Sequence, residues 1–363
     1  MAARGSRSTL SRRPPEQLVE QAIALATAAI GPAWRSTPPA APAKVTVLDP
    51  VLATIDLAAS ASALLSDIKR PVGTTVATRI EIVRELVTVT ARSGFHEAWP
   101  ASTIRAEALV IAAERSLMVS REARRLGDLG FDLAVAGAAA DLHDLASAEL
   151  PRPGSCALVL ASEAMLHGGL GVWSVFASQA DPVVERQGLT RYHLGSRIAP
   201  NADQIFEPLT IESDGALEFG TRSARVGDDG DAVRRFPLVD RGIAAGLGLS
   251  PREAALRHRD PNGGVRNLVV AAGSWSGPPP PGTGRVLELR RLQALAIDPY
   301  TGNADLEIAL ATDRATGRSF AGGTVRLDLI AALARARRSG IIIQRGAYRG
   351  PDSVLIEDVE VLA

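Results

Sequence analysis

The chain has 363 residues, of which 46% are hydrophobic and 22% are charged, so it is long enough for two domains and apolar enough to fold around a core. Forty basic residues balance forty acidic ones, so the positive excess typical of nucleic-acid-binding proteins is missing. The single cysteine, Cys156, excludes an intramolecular disulfide and a multi-cysteine zinc or iron–sulfur site. No apolar run reaches the roughly 18–20 residues of a membrane helix. No signal-peptide core follows the basic N-terminus, and we expect a cytoplasmic protein without a membrane or nucleic-acid partner.

The first 150 residues predict a disordered tail over 1–13 and then a mixed α/β domain over 14–150. Apolar residues recur at helical spacing early in this domain, and alternating apolar residues later indicate antiparallel strands. Ser120 has the side chain of a helix N-cap, and a helical apolar pattern follows it. The predicted elements are a helix over 16–30, a stiff proline connector over 32–43, strands between 44 and 111, and a long helix from Ser120 to about Ala148.

Pro151 and Pro153 mark the predicted boundary to a β-rich domain over residues 151–363. Short apolar runs alternate there with turns rich in Gly, Asp and Pro, while two segments keep a helical spacing. Helices and strands without regular βαβ alternation are typical of the α+β class. The predicted elements are a strand over 156–160, a helix from Ser162 to about Phe176, short strands up to Leu310, a helix from about Val325 to Arg338, and a closing strand that carries Val354, Ile356, Val359 and Val361.

Residues 162–167 resemble the HExxxH zinc motif of metallopeptidases with its first histidine replaced by Ser162. A neutral serine is a poor zinc ligand, and His167 has no second histidine at ligand spacing. The favoured interpretation is structural: Ser162 caps the predicted helix and Glu163 complements the positive end of its dipole. The alternative is a metal site that uses Glu163 and His167.

Other segments match catalytic or binding motifs only in part. The segment 258–260 has the His-Arg-Asp of a kinase catalytic loop without the other kinase motifs. Trp275 stands where a nucleophile elbow needs a serine. His96 begins a His-Glu pair, but Pro100 and Ala101 occupy the positions of the second zinc histidine. The residues alone therefore identify no active site.

Seven short motifs in the second half of the chain resemble, in the same order, those of the TldD/TldE (PmbA) family, more on its TldE side. The resemblance covers about 150–363 and is fainter over 77–150. The motifs are Pro153-Gly154, the pair 194–198 and 209–211, Asp228-Asp229-Gly230 with 234–242, Asn267 to Val270 with Gly273, Asp298 to Asn303, Gly323 to Val325, and Pro351 to Val354.

In this family the TldD-like subunit binds zinc through the HExxxH histidines and a later cysteine, and the TldE-like subunit lacks these ligands and completes a peptide-binding cavity. Here Ser162 occupies the first ligand position, and residues 344–348 contain no cysteine. The resemblance thus implies an α+β fold of the TldD/TldE type and a non-catalytic subunit of a heterodimeric metallopeptidase. It implies no cofactor in this chain, zinc in the TldD-like partner, and an extended or modified peptide as substrate, with natural-product maturation as one setting.

The resembling motifs supply four candidates for the wall of the substrate cavity: Asn267, Tyr300, Asp228 and Asp229. Glu163 and His167 are catalytic candidates only in the alternative, a free-standing metal-dependent hydrolase. A third interpretation is a binding or scaffold protein without a peptidase partner.

Overall fold

A computed structural model describes residues 40–56, 74–90, 94–199, 207–277 and 284–362, and also six residues between 16 and 24. Those six residues are helical, in agreement with the start of the predicted helix over 16–30. The predicted tail over 1–13 and most of the predicted connector lie outside the described residues.

A three-stranded antiparallel sheet and one long helix form the first layer. The sheet has the order β1 (Thr75–Thr90), β2 (His96–Ala112), β3 (Arg115–Ala123). The short helix α1 (Pro50–Thr54) is capped by Asp49, whose side chain accepts a hydrogen bond from the backbone N–H of Val51. The helix α2 (Phe131–Ala146) packs its apolar side on β2 and β3 around a shared core. The predicted antiparallel strands are therefore present.

The long helix begins later than the sequence predicts. Residues 115–123 alternate between exposed and buried positions and pair with β2, so Ser120 lies in a strand instead of capping a helix. After this strand, Gly130 adopts a φ of +53°, a left-handed conformation that suits glycine, and α2 starts at Phe131. The pairing of β3 with β2 therefore prevails over the helical spacing of apolar residues that follows Ser120 in the sequence.

A seven-stranded sheet forms the second layer, and five of its strands close into a ring. The strands are β4 (Gly154–Leu160), β9 (Val286–Ile297), β10 (Asn303–Asp313), β11 (Ser319–Phe320), β12 (Thr324–Asp328), β13 (Arg337–Arg338) and β16 (Val354–Leu362). β10 pairs with β9 on one side and with β12 on the other, and the ring continues through β16 and β4 back to β9. Within the ring, the β4–β9 pair is parallel and the other pairs are antiparallel.

A six-stranded mixed sheet packs with this ring around the largest core, which includes Trp173, Phe176 and Tyr348. Its short strands are β5 (Ile211–Asp214), β6 (Arg235–Asp240), β7 (Ile243–Ala244), β8 (Asn267–Val270), β14 (Ile342–Arg345) and β15 (Tyr348–Pro351). They lie in the order β14-β15-β8-β5-β6-β7. The α-helices described in this half are α3 (Ser162–Met165), α4 (Ser174–Gln179), α5 (Pro182–Arg186), α6 (Pro251–Leu256) and α7 (Leu329–Arg335).

Two predicted helices of the second half are shorter in the structure. The helix predicted from Ser162 to about Phe176 ends at Met165, because Gly168, Gly169 and Gly171 all adopt positive φ angles, and α-helix resumes only at Ser174 in α4. A Cβ atom on Gly171 would overlap the carbonyl oxygen of Met165, so this turn requires glycine.

The last predicted helix is confined to Leu329–Arg335. Residues 324–328 pair with β10 and β16 as a strand, and Asp328 caps α7 by accepting a hydrogen bond from Ala331 N at 3.1 Å. Residues 337–338 form β13 instead of the last helical turn.

The predicted α+β class is confirmed, as are the strand over 156–160 and the closing strand. The division at residue 150 stays a prediction, although the α2 core and the core of the ring and mixed sheet are separate apolar clusters. In the part of the chain that the structure describes, no helix is both long and apolar enough to span a bilayer.

Candidate functional site

A cavity of about 660 Å³, here called the main cavity, lies where the three-stranded sheet meets the ring and the turn after α3. Seven consecutive residues of β3, 116–122, line one side of it. Other parts of its wall come from β9, from β10 and from the turn after α3 (residues 166–171, here called the glycine turn), and Arg345 and Gly346 line it as well. The main cavity is therefore built from both halves of the chain.

The main cavity follows a strand edge. β3 is the last strand of its sheet and pairs with β2 but with no other described strand. Half of its backbone N–H and C=O groups therefore point away from β2. An unpaired edge of this kind is a template on which an extended peptide adds as a further strand.

Glu163 lies in the main cavity between three arginines. Its Oε1 lies 2.5 Å from Arg121 Nη2 and 2.9 Å from Arg345 Nη1, and its Oε2 lies 3.3 Å from Arg291 Nη1. Arg121 belongs to β3, Arg345 to β14 and Arg291 to β9, and Glu163 lies in α3, the short helix that comes after β4. We call these four residues the Glu163 cluster.

This arrangement corrects the structural role predicted for the motif. The N-cap position of α3 is Ala161, without a side-chain cap, and Ser162 is the first helical residue. The helix is only four residues long, so its dipole is a minor partner for Glu163 beside three guanidinium groups.

The Glu163 cluster continues into the first layer. Arg291 Nε donates to Asp141 Oδ2 at 2.6 Å, and Arg290 donates to both Asp141 and Asp144 of α2. Together with the cluster, this network contains four guanidinium groups and three carboxylates. It therefore joins the two layers and carries one surplus positive charge.

The charges around Glu163 set its protonation. Burial is the largest single influence and opposes ionisation, but the charges of Arg345, Arg121 and Arg291 together outweigh it, and the pKa of Glu163 lies below its ordinary value. Burial, followed by repulsion from Arg345, lowers the pKa of Arg121. Burial also lowers the pKa of His167, which favours the neutral form of its ring.

The groups at this site do not fit a zinc ion. Both carboxylate oxygens of Glu163 lie against guanidinium groups, which repel a divalent cation. His167 lies beyond the end of α3, so the helical arrangement of an HExxxH motif is broken. Among the described residues, no group of three or more His, Cys, Asp or Glu side chains is arranged to bind a metal.

Asn267 does not line the main cavity but holds a buried loop. Its Nδ2 donates to Asp214 O at 2.7 Å and to Ser223 Oγ at 2.9 Å, and its Oδ1 accepts from Arg222 N at 3.0 Å. The side chain is fully buried, and these three hydrogen bonds satisfy its amide group. Asn267 therefore has a structural role.

Tyr300 lies in the turn between β9 and β10, where 47% of its surface is exposed. Asp298 shapes this turn by accepting from Tyr300 N at 2.8 Å and from Thr301 Oγ1 at 2.7 Å. Gln179, which is fully buried, donates to the carbonyls of Pro299 and Tyr300. The segment 298–303 therefore builds a turn outside the main cavity.

Asp228 is 93% exposed in its side chain and lies 3.0 Å from Arg266 Nη2. With Trp99 and Arg124 it lines a second, smaller cavity of about 190 Å³. Asp229 follows it in the chain and lines neither cavity. Of the six predicted residues, the structure thus brings Glu163 and His167 together in the main cavity and places the other four elsewhere.

The three arginines of the Glu163 cluster are not among the residues that the sequence predicts for a site. Arg121 lies on a strand where the sequence predicts a helix, and Arg345 lies in a segment whose only predicted feature is the missing cysteine. One signal was present: Arg290 and Arg291 interrupt the apolar strand β9, and a charged pair inside such a strand needs buried partners.

Comparison with known proteins defines the class of fold. No protein-family model and no curated protein matches the chain by sequence. The solved structures that match include three that align with nearly its whole length, and this chain covers 86% of each of them. One is TldE from Thermococcus kodakarensis, with a TM-score of 0.78 and 16% identity over 98% of this chain. Another is a candidate modulator of DNA gyrase from Thermotoga maritima, with a TM-score of 0.79 and 15% identity over 99% of this chain. The third is a candidate modulator of DNA gyrase from Bacteroides thetaiotaomicron, with a TM-score of 0.78 and 15% identity over 100% of this chain.

These matches assign an α+β fold of the TldD/TldE type, as the sequence resemblance implies. More particularly, one of the matched structures is itself a TldE protein.

Proposed function

We propose that this chain is the non-catalytic, TldE-like subunit of a heterodimeric zinc metallopeptidase and that it supplies one wall of the cavity that holds an extended or modified peptide. The observation that carries the proposal is the Glu163 cluster. The carboxylate at the position of the metallopeptidase motif is bound by three arginines inside a cavity that follows a strand edge.

The electrostatics of the cluster support a non-catalytic role. Zinc-dependent hydrolysis needs a fixed set of ligands and a carboxylate free to accept a proton from the metal-bound water. Glu163 is ionised but held by Arg121, Arg291 and Arg345, and releasing it would leave those arginines without their shared counterion. In this proposal the zinc ligands belong to the TldD-like partner.

The shape of the main cavity supports peptide binding. Its volume of about 660 Å³ lies within the range of ligand pockets, about 300–1,000 Å³. The edge of β3 offers backbone groups along residues 116–122, enough to pair with an extended peptide segment. Backbone pairing holds a peptide without demanding one sequence.

Reconstitution tests this proposal. The full chain and the TldD-type chain with an intact HExxxH motif from the same genome are purified separately and assayed alone and together on an unstructured peptide. We expect a complex of both chains on size-exclusion chromatography and cleavage only by the mixture.

Two results would contradict the proposal. Cleavage by this chain alone, with tightly bound zinc that His167→Ala displaces, would establish the free-standing hydrolase. If the two chains form no complex and the mixture cleaves no peptide, the interpretation as a binding or scaffold protein without a peptidase partner would replace the proposal.

A further inference from the structure

The network around Glu163 has more positive charge than its own carboxylates balance. Asp141 and Asp144 offset Arg290 and most of the charge of Arg291. Arg121 and Arg345 are then left to share Glu163. The surplus charge therefore lies at the wall of the main cavity, which both of these arginines line.

Arg345 has most of its hydrogen-bonding capacity unused. A guanidinium group carries five N–H donors. That of Arg345 makes an ion pair with Glu163 but no hydrogen bond to a side chain or carbonyl in the described part of the chain, and 27% of the side chain is exposed. Arg121, by contrast, is 8% exposed and donates to both Ser120 O and Glu163.

A second carboxylate lines the main cavity but is engaged elsewhere. Glu122 Oε2 accepts from Arg105 Nε at 3.2 Å, and both of these side chains are more than two-fifths exposed. The structure gives Glu122 no hydrogen bond or ion pair to Arg345. The free donors of Arg345 therefore suit an anionic ligand in the main cavity.

We propose that the main cavity binds the carboxylate of a peptide at Arg345, beside Arg121, while the peptide backbone follows β3. That the ligand is a peptide rests on the function proposed above, whereas recognition of a carboxylate is new. A planar guanidinium group binds a carboxylate through paired hydrogen bonds, and these are stronger than bonds between neutral groups. A C-terminal carboxylate and an Asp or Glu side chain offer the same chemistry.

Fluorescence polarisation with the full chain tests this binding. Three dye-labelled alanine peptides of one length are compared: one with a C-terminal amide, one with a free C-terminal carboxylate, and one with the amide and a central glutamate. We expect at least one of the two acidic peptides to bind about tenfold more tightly than the neutral one, as charge-assisted hydrogen bonds do. Tighter binding of the peptide with the free C-terminus identifies a C-terminal carboxylate as the ligand group, and tighter binding of the glutamate peptide identifies an acidic side chain.

Substitutions connect this preference to Arg345. Arg345→Gln should reduce the ratio of affinities to about one, and Arg345→Lys should keep part of it because the charge remains. Arg326→Gln, which removes an exposed arginine paired with Asp305 on β10, is the matched control and should leave the ratio unchanged. Circular dichroism shows whether each variant is folded.

Equal binding of the three peptides, no measurable binding of any, or an unchanged ratio in Arg345→Gln would overturn the inference. The ratio is measured on the isolated chain, so it is independent of the reconstitution assay. A reconstituted pair that cleaves peptides without this preference retains the proposed function and rejects the carboxylate site.

Discussion

Replacing Glu163 by glutamine removes one charge and keeps nearly the same volume, so it isolates the electrostatic role of this side chain. Its three arginine partners respond differently. Arg291 keeps Asp141 at 2.6 Å, and Arg345 is exposed enough to turn toward water. Arg121 is 8% exposed and would keep only the carbonyl of Ser120. The main penalty is therefore one buried guanidinium group without a counterion.

Removing one partner of a buried ion pair typically costs 3–5 kcal/mol. Because Glu163 is 24% exposed, we expect the lower end of that range, about 3 kcal/mol, for Glu163→Gln. Arg121→Met should cost much less, about 1 kcal/mol, because it leaves Glu163 with two arginines and removes repulsion from Arg345. The free energy of unfolding of the double variant should be closer to that of Arg121→Met than to that of Glu163→Gln.

Urea unfolding followed by tryptophan fluorescence measures these differences, since Trp173 lies in the largest core. The matched control is Asp305→Asn, which breaks an exposed pair with Arg326 at 2.7 Å and should leave the free energy of unfolding almost unchanged, because solvent screens exposed ion pairs. If Glu163→Gln costs no more than this control, or no more than Arg121→Met, the charge imbalance argued for the cluster is refuted.

Two further predictions concern pH and the glycine turn. The depressed pKa of Glu163 stabilises the folded state above the ordinary carboxyl pKa of about 4.3, and this stabilisation is lost as the pH falls through the folded-state value. The difference in urea midpoint between the wild type and Glu163→Gln should therefore be constant near neutral pH and shrink below about pH 4; a difference that grows toward acid would contradict the assignment. Gly171→Ala should cost about 3 kcal/mol or more, because it combines a φ of +51° with overlap of a backbone carbonyl. Gly168→Ala, at a φ of +70° in open space, should cost about 1 kcal/mol, and equal urea midpoints for the two variants would show that the overlap does not exist.

The sequence predicted the elements whose pattern is continuous and buried. β4 reads as an apolar run and β16 as closely spaced β-branched residues, and both are central strands of the ring. The start of α2 could not be predicted from local pattern alone, because Ser120 suits both an N-cap and the exposed face of a strand. Pairing of β3 with β2 along its whole length decides between the two.

The break after α3 could have been predicted, since three glycines within four residues are a strong helix-ending signal. The main cavity could not have been predicted from the sequence. The Glu163 cluster combines residues 121, 163, 291 and 345, which come from four distant elements. Their meeting depends on how the two layers pack and on the register of β9 and β14. A single sequence suggests Glu163 by its motif but gives no means of finding its partners.

In the proposed function, zinc chemistry belongs to the partner and this chain only shapes the cavity. Two assembled complexes test it most directly in one peptide-cleavage assay: one in which the partner's HExxxH histidines are replaced by alanine, and one in which this chain carries His167→Ala. We predict that the first complex is inactive and that the second retains turnover within a few-fold of the wild type, because the proposed function assigns the zinc ligands to the partner and none to this chain. Loss of turnover in the second complex, with both chains still assembled, would contradict the account.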